Sequence, residues 1–349
     1  MKIFLDKKMF PVLTCIVSVL LFSGCTKVEK TVPQKSPFTF VTPYHLFNVH
    51  CPDKNNAWII GFNSTIIHTP DGGTTWEHQK SGTKLNLSDV CFINDTVGWI
   101  SGRLGTILHT RDGGTTWTKQ QNPRDKHLFD IFFIDREYGW AVGDFGTIVH
   151  TGDGGKTWTS QGSGEDRIYN GVWFANRNHG WVVGEYGLIY HTTNSGATWE
   201  LQECKEIIPV VDETQWEQFP PSLYSVYFTD NSTGWASGMD GTIITTHNGG
   251  ALWEKVPNPA EAAEVTLYKI RMNGQKGWAV GLKGSFLHSQ DAGKTWTLSS
   301  DSIKTKFILR GLDFFEADTG YIVGSRGTIL KSEDGGMSWA MLSGIPLSH

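Results

Sequence analysis

The hexapeptide DGGTTW occurs at Asp71 and again at Asp112, and degenerate copies follow to the end of the chain. They read DGGKTW at Asp153, NSGATW at Asn194, NGGALW at Asn248, DAGKTW at Asp291 and DGGMSW at Asp334. The spacing is 41 to 43 residues, with one interval of 54. Each repeat of this period is one supersecondary unit, which cannot bury its apolar face alone and must stack on its neighbours. A second marker precedes each copy: Gly98-Trp99, Gly139-Trp140, Gly180-Trp181, Gly234-Trp235 and Gly277-Trp278, with Ala57-Trp58 and Gly320-Tyr321 in the first and last units. The two markers absorb all but Trp173 and Trp216 of the 15 tryptophans.

Within a unit, four short apolar stretches are punctuated by Gly, Asn and Asp, as turns between strands require. Four strands in about 43 residues make one propeller blade. The expected fold is all-β: a seven-bladed β-propeller of four-stranded antiparallel blades, over residues 38–349. A charged fraction of 19% with 15 Trp excludes a disordered chain or a coiled coil. A formal net charge of -5 speaks against nucleic acid as a partner.

The hexapeptide resembles the BNR or Asp-box repeat, (S/T)-x-D-x-G-x-(T/S)-W, here Thr69-x-Asp71-x-Gly73-x-Thr75-Trp76. Asp71, Asp112, Asp153, Asn194, Asn248, Asp291 and Asp334 are expected to hold their turns by accepting local N–H bonds. Trp76, Trp117, Trp158, Trp199, Trp253, Trp296 and Trp339 are expected to bury their rings between blades. Because two copies carry Asn, the ring of acids is not read as a calcium or catalytic array. His68, His109, His150, His191 and His288 recur at one third-strand position. Face-packed sheets lie ~10 Å apart, whereas Zn–N bonds are ~2.0–2.1 Å, so packed histidines are expected rather than a metal ring. No metal and no cofactor is called for. Cys51, Cys91 and Cys204 show no metal spacing and are expected to be buried or free thiols.

Residues 1–24 read as a lipoprotein signal peptide. Lys2, Lys7 and Lys8 are followed by a short apolar run and then Leu21-Phe22-Ser23-Gly24-Cys25, which resembles the bacterial lipobox. The resemblance implies lipidation of Cys25. Residues 25–37 then form a polar tether, and the protein is anchored to a membrane rather than spanning it. Thr26 rather than Asp follows Cys25, which favours the outer membrane if the organism is Gram-negative.

Antiparallel strands place the repeated motifs on one face of the ring. The turns between second and third strands, and the blade-to-blade loops, fall on the other. That second face carries the variation among copies: Phe62-Asn63, Arg103-Leu104, Asp144-Phe145, Glu185-Tyr186, Met239-Asp240, Leu282-Lys283 and Ser325-Arg326. It is expected to be basic on one side and acidic on the other. Arg167 and Arg310 add cations near the start of first strands. The long interval places about 13 extra residues between Cys204 and Leu223, including Trp216, and a long loop with an aromatic reads as a binding element. The partner-binding candidates are Arg103, Arg167, Lys283, Arg310, Arg326, Phe145, Tyr186 and Trp216. The alternatives are a solvated mixed-charge surface and a loop that covers its own blade.

The paired markers resemble the photosystem II assembly or stability factor family, seven-bladed propellers of cyanobacteria and plastids, over about residues 40–345. The resemblance implies an assembly factor that binds its partner through an Arg-rich patch, for which Arg103, Arg167, Arg310 and Arg326 are the candidates. Photosystem assembly itself is not implied, since many non-photosynthetic bacteria carry such domains on exported proteins. Asp-boxes also occur in sialidases, which resemble a six-bladed design with an Arg-Ile-Pro motif; the nearest string here is Arg167-Ile168-Tyr169. They occur too in xyloglucan-cleaving hydrolases, which resemble two tandem propellers with a catalytic Asp pair between them. A glycosidase needs two carboxyls ~5–5.5 or ~6.5–9.5 Å apart, and Asp144, Glu185 and Asp240 are the residues to test. The sequence reading is a lipid-anchored, non-catalytic scaffold presenting its variable face to a protein partner at the cell envelope. Glycan binding, with Phe145, Tyr186 and Trp216 as stacking platforms, or glycoside hydrolysis, is the alternative.

Overall fold

In the computed structural model, which describes residues 42–209 and 219–343, every blade is built from four consecutive strands. The first blade comprises β1 (Leu46–His50), β2 (Ala57–Gly61), β3 (Ile66–Thr69) and the two-residue β4 (Glu77–His78). Six further four-stranded antiparallel sheets repeat this order, completing a seven-bladed β-propeller. The first strands of successive blades neighbour one another around the ring, that of the last blade (Leu309–Phe315) beside β1. They form the inner wall. Cys25 and Trp216 lie outside the described residues, within which no helix is long and apolar enough to cross a membrane.

The two sequence markers meet across blade boundaries. Trp58 lies flat on Phe92 of the next blade, with centroids 3.7 Å apart. Trp99 on Phe133, Trp140 on Phe174, Trp181 on Phe228 and Trp278 on Phe314 repeat the contact at 3.5–3.8 Å. The same indoles donate to a carbonyl in the next blade's motif turn: Trp58 to Gly113 (3.2 Å), Trp99 to Gly154 (3.4 Å), Trp140 to Ser195 (3.1 Å) and Trp181 to Gly249 (3.2 Å). A glutamine three residues after the motif Trp adds a clamp. Gln120 donates to Gly154 O (3.1 Å) and accepts from Trp158 Nε1 (3.1 Å), and Gln79 and Gln202 do the same at their boundaries.

Within each motif turn the Asp works locally. Asp71 accepts from Thr75 N (2.8 Å) and Thr75 Oγ1 (2.7 Å), and Thr69 Oγ1 accepts from Gly73 N (2.7 Å). Asn194 reproduces the geometry with one bond reversed, accepting from Thr198 N and donating from Nδ2 to Thr198 Oγ1 (both 2.9 Å). The Thr295 hydroxyl and backbone N–H hold the Asp291 carboxyl down to about 2. The third-strand histidines pack behind the indoles: His68 on Trp58 at 4.2 Å, His109 on Trp99 at 4.8 Å and His191 on Trp181 at 4.7 Å. Cys51, Cys91 and Cys204 are free and buried.

The ring closes without strand exchange. The last blade takes its fourth strand from Ala340–Ser343, so residues 42–45 add no strand to it. The closing boundary departs from the pattern. Tyr321 replaces the indole, Cys51 the phenylalanine and Leu342 the glutamine. Trp76 meets Tyr321 edge-on at 6.0 Å, and the Asp313 carboxylate accepts from Cys51 N (2.9 Å) and Sγ (3.3 Å).

Gln120→Ala leaves the Trp158 indole N–H without its acceptor and takes one of two donors from the Gly154 carbonyl. It is expected to cost ~1–3 kcal/mol and to lower the thermal midpoint by roughly 2–4 °C per kcal/mol; an unchanged midpoint in calorimetry would count against the clamp. Burial, with Arg111 adding to it, depresses His109 to about 4, and its Nε2 has no partner. A depressed histidine contributes stability above its unfolded value of ~6.5, which is lost as pH falls through about 4. His109→Phe keeps the stacking and is expected to flatten the melting-temperature profile over that window.

Candidate partner-binding mouth

A β-bulge falls at the second residue of the first strand in every blade. The pairing skips Phe47, Ser88, Phe129, Asn170, Tyr224, Tyr268 and Arg310. A bulge re-aims its side chain, and all seven residues line one cavity of about 430 Å³. Three of the residues that follow, Asn48, Asp130 and Lys269, line it too. The bulge therefore lets two consecutive positions face one space, where a regular strand would send them to opposite faces.

The wall of this mouth is aromatic and cationic. The Arg310 guanidinium sits over Tyr268 at 4.9 Å and over Phe47 at 5.7 Å. Arg103 enters from the turn between second and third strands of the second blade, beside Asn86 and His127. Burial, and then the charge of Arg103, hold His127 down to about 4, so its ring is neutral against Ser88 Oγ at 2.8 Å. Among the described residues, neither Arg103 nor Arg310 forms an ion pair with a carboxylate.

The floor is a polar cluster that ties blades together. Lys269 Nζ of the sixth blade approaches Asp130 Oδ1 of the third at 3.7 Å. Asp130 Oδ2 accepts from Val172 N (2.8 Å), and Asp89 Oδ2 from Ile131 N (3.0 Å). Asn48 Nδ2 donates to Asp89 Oδ1. Burial and the charge of Asp130 push the Asp89 carboxyl well up, while the Lys269 ammonium, against burial, holds Asp130 down. Beyond this floor a second cavity of about 250 Å³ opens toward the motif face, with Trp173, Tyr227, Arg271 and Asp313 among its lining. Arg271 Nε donates to Asp313 Oδ1 at 3.3 Å. Among the described residues, no group of three or more His, Cys, Asp or Glu is placed to hold a metal ion.

The residues singled out from sequence do not form one patch. Arg103 and Arg310 line the mouth. Arg326 and Lys283 stand exposed at turn tips of the last two blades, Arg326 over Phe307 at 4.8 Å. Phe145 is half exposed under Lys126 Nζ at 4.6 Å. Arg167 and Tyr186 line a separate depression with Glu165 and Glu185, and Tyr186 packs on Phe219 at 4.8 Å. The expected single Arg patch is therefore divided, because Arg167 leaves its blade beside those acids rather than toward the axis. The aromatic and amide residues of the mouth escape sequence reasoning; the available signal is the column after the strand's first Leu or Tyr, which is aromatic in four copies and polar in the other three.

Architecture and repeated turn define a seven-bladed propeller whose blades are welded by paired tryptophan markers. The chain belongs to the photosynthesis system II assembly factor YCF48 family, whose model matches residues 37–123, 115–214 and 208–300. It is 36% identical over 70 residues to the photosystem II assembly lipoprotein Ycf48 of Prochlorococcus marinus (strain NATL2A). That match spans 19% of this chain and only 20% of the relative. Two solved structures share the fold: a YCF48 bound to D1 peptide (TM-score 0.68, 22% identity, 86% of this chain and 96% of that one) and YCF48 from Cyanidioschyzon merolae (0.67, 19%, 84% and 97%). A GH74 xyloglucanase from Xanthomonas campestris shares it as well, at a TM-score of 0.67 and 11% identity over 87% of this chain and 55% of that one.

Lys269→Met removes the cation that approaches the Asp130 carboxylate beside Asp89. The expected loss at neutral pH is ~3–5 kcal/mol. Without the ammonium the Asp130 carboxyl titrates higher than in the wild type, so the loss should shrink as pH falls. A loss independent of pH in chemical denaturation would contradict this account of the floor.

Proposed function

We propose that the chain is a lipid-anchored, non-catalytic assembly scaffold of the cell envelope, and that its mouth binds a protein segment bearing carboxylate and apolar side chains. The observation that carries this reading is the pair of guanidiniums, Arg103 and Arg310, which form no ion pair with a carboxylate among the described residues, in a cavity walled by Phe47, Tyr268 and Tyr224. Guanidinium groups bind carboxylates through paired charge-assisted hydrogen bonds, and a largely apolar pocket with a few convergent polar groups is the usual form of a recognition site. Membership of an assembly-factor family supports a scaffold. A related propeller bound to D1 peptide supports a peptide-like ligand. The lipobox at Cys25, and a relative named as a lipoprotein, support the anchor.

A hydrolase is the second reading, favoured by the fold shared with the xyloglucanase. Its acids would be Asp144, Glu185 and Asp240, on three successive blades. Glu185 Oε1 already accepts from Ile168 N at 3.2 Å, which leaves it less free for proton transfer.

Affinity capture from native membranes, followed by mass spectrometry, tests the choice. Each of Arg103→Glu and Arg310→Glu is expected to weaken capture of the partner tenfold or more, at ~1.5–3 kcal/mol per charged hydrogen bond, and the double variant to abolish it. Equal capture by the double variant would contradict the mouth. Glycan cleavage by the wild type, lost in Asp144→Asn, would favour the hydrolase.

A further inference from the structure

The rim of the mouth carries a feature that peptide binding does not use. Two consecutive residues in each turn between second and third strands adopt left-handed backbone, the first being Asn63, Leu104, Phe145, Tyr186, Asp240, Lys283 or Arg326, all at φ between 54° and 57° except Leu104 at 52°. Asn and Asp tolerate this region, whereas a large Leu is strained there. Leu104 is nevertheless 61% exposed, so core packing does not offset the strain. The repeated turn imposes this backbone in every blade, so Leu104 is held at the tip of its turn with its side chain in solvent.

Its neighbours share its character. Phe62, at the same turn of the first blade, is 44% exposed, and Tyr44 lies beside it with ring centroids 6.2 Å apart. The exposed cations Arg103, Lys283 and Arg326 flank them on the same side of the ring. The turn acids Asp144, Glu185 and Asp240 fall on blades three to five, the other side. Exposed apolar side chains occur on both sides, Phe145 and Tyr186 among the acids, so charge is what distinguishes the sectors, and the described chain begins in the basic one. Tyr44 O accepts from Gly327 N at 2.8 Å in the last blade's turn, and the Thr42 carbonyl abuts Gly327. Roughly 16 residues separate Thr42 from Cys25, a reach of at most ~55 Å.

We infer that this sector of the rim, with Tyr44, Phe62 and Leu104 at its tips and Lys283 and Arg326 around them, rests on an anionic lipid surface. Apolar and aromatic tips enter the headgroup region while cations meet the anionic lipids. The acidic sector is then tilted away, and the mouth opens along the bilayer toward segments that emerge from it. The orientation rests on the anchor proposed above; the lipid contact does not depend on which segment enters the mouth.

The test uses the full chain, acylated at Cys25, reconstituted in phosphatidylglycerol–phosphatidylcholine vesicles with brominated acyl chains. An environment-sensitive fluorophore is placed at Leu104→Cys, at Phe62→Cys, or at Arg136→Cys on the motif face; Cys51, Cys91 and Cys204 are buried and do not label, and Cys15 is replaced by Ser. Labels at 104 and 62 are expected to shift to the blue and be quenched several-fold more than the label at 136. A Lys283→Glu/Arg326→Glu background should reduce that quenching. Vesicle-bound protein with equal emission at all three sites overturns the inference while leaving the anchor intact. Protein that fails to associate with vesicles overturns the anchor, and the inference with it. If Leu104→Cys does not fold, the label at Phe62→Cys carries the same comparison.

Discussion

The second-strand tryptophan of one blade lies flat on the first-strand phenylalanine of the next, and its N–H ends on a carbonyl of that blade's motif turn. Each such indole buries on the order of 150–250 Å², worth ~4–6 kcal/mol of hydrophobic stabilisation. The carbonyl is in place because the motif Asp or Asn fixes the turn, and the motif Trp meets the same phenylalanine edge-on, as Trp158 meets Phe133 at 5.8 Å. Neither marker therefore has a complete function within its own repeat. A single unit would expose the indole and leave its N–H without that carbonyl, so the fold forms as a ring.

This mutual dependence explains which features were legible in the amino-acid sequence. Blade number, strand order and the identity of the two faces follow from the interval between markers, because packing demands that Trp, Gly and Asp recur in register. Ring closure was not legible. At the last boundary Tyr321, Cys51 and Leu342 replace the repeating residues, and only the three-dimensional contacts show that β1 packs against Leu309–Phe315 without adding to its sheet. The mouth was legible only in part. Arg103 and Arg310 announce themselves by charge, but Phe47, Asn170, Tyr224 and Tyr268 reach the axis through a bulge. A bulge breaks the two-residue alternation from which strand faces are inferred. Trp173, which neither marker explains, proves to line the lower cavity of the channel.

Division of labour between the faces follows from the same physics. The motif face is committed to holding blades together, its carboxylates already satisfied by local hydroxyl and amide donors. The opposite face has no such duty. Its turns close through the backbone, as when Gly105 N donates to Lys126 O at 2.7 Å, and their side chains are free to differ. The buried Lys269–Asp130–Asp89 cluster lies between the two cavities and gives the mouth a polar floor.

Hydrogen-exchange mass spectrometry on the membrane-extracted complex, with and without its captured partner, tests the central claim most directly. The account predicts slowed exchange at the mouth, in residues 42–48, 86–89, 103–105, 127–130 and 308–311, and unchanged exchange in the motif turns. Protection confined to the motif turns, with the mouth exchanging as in the free protein, would contradict it.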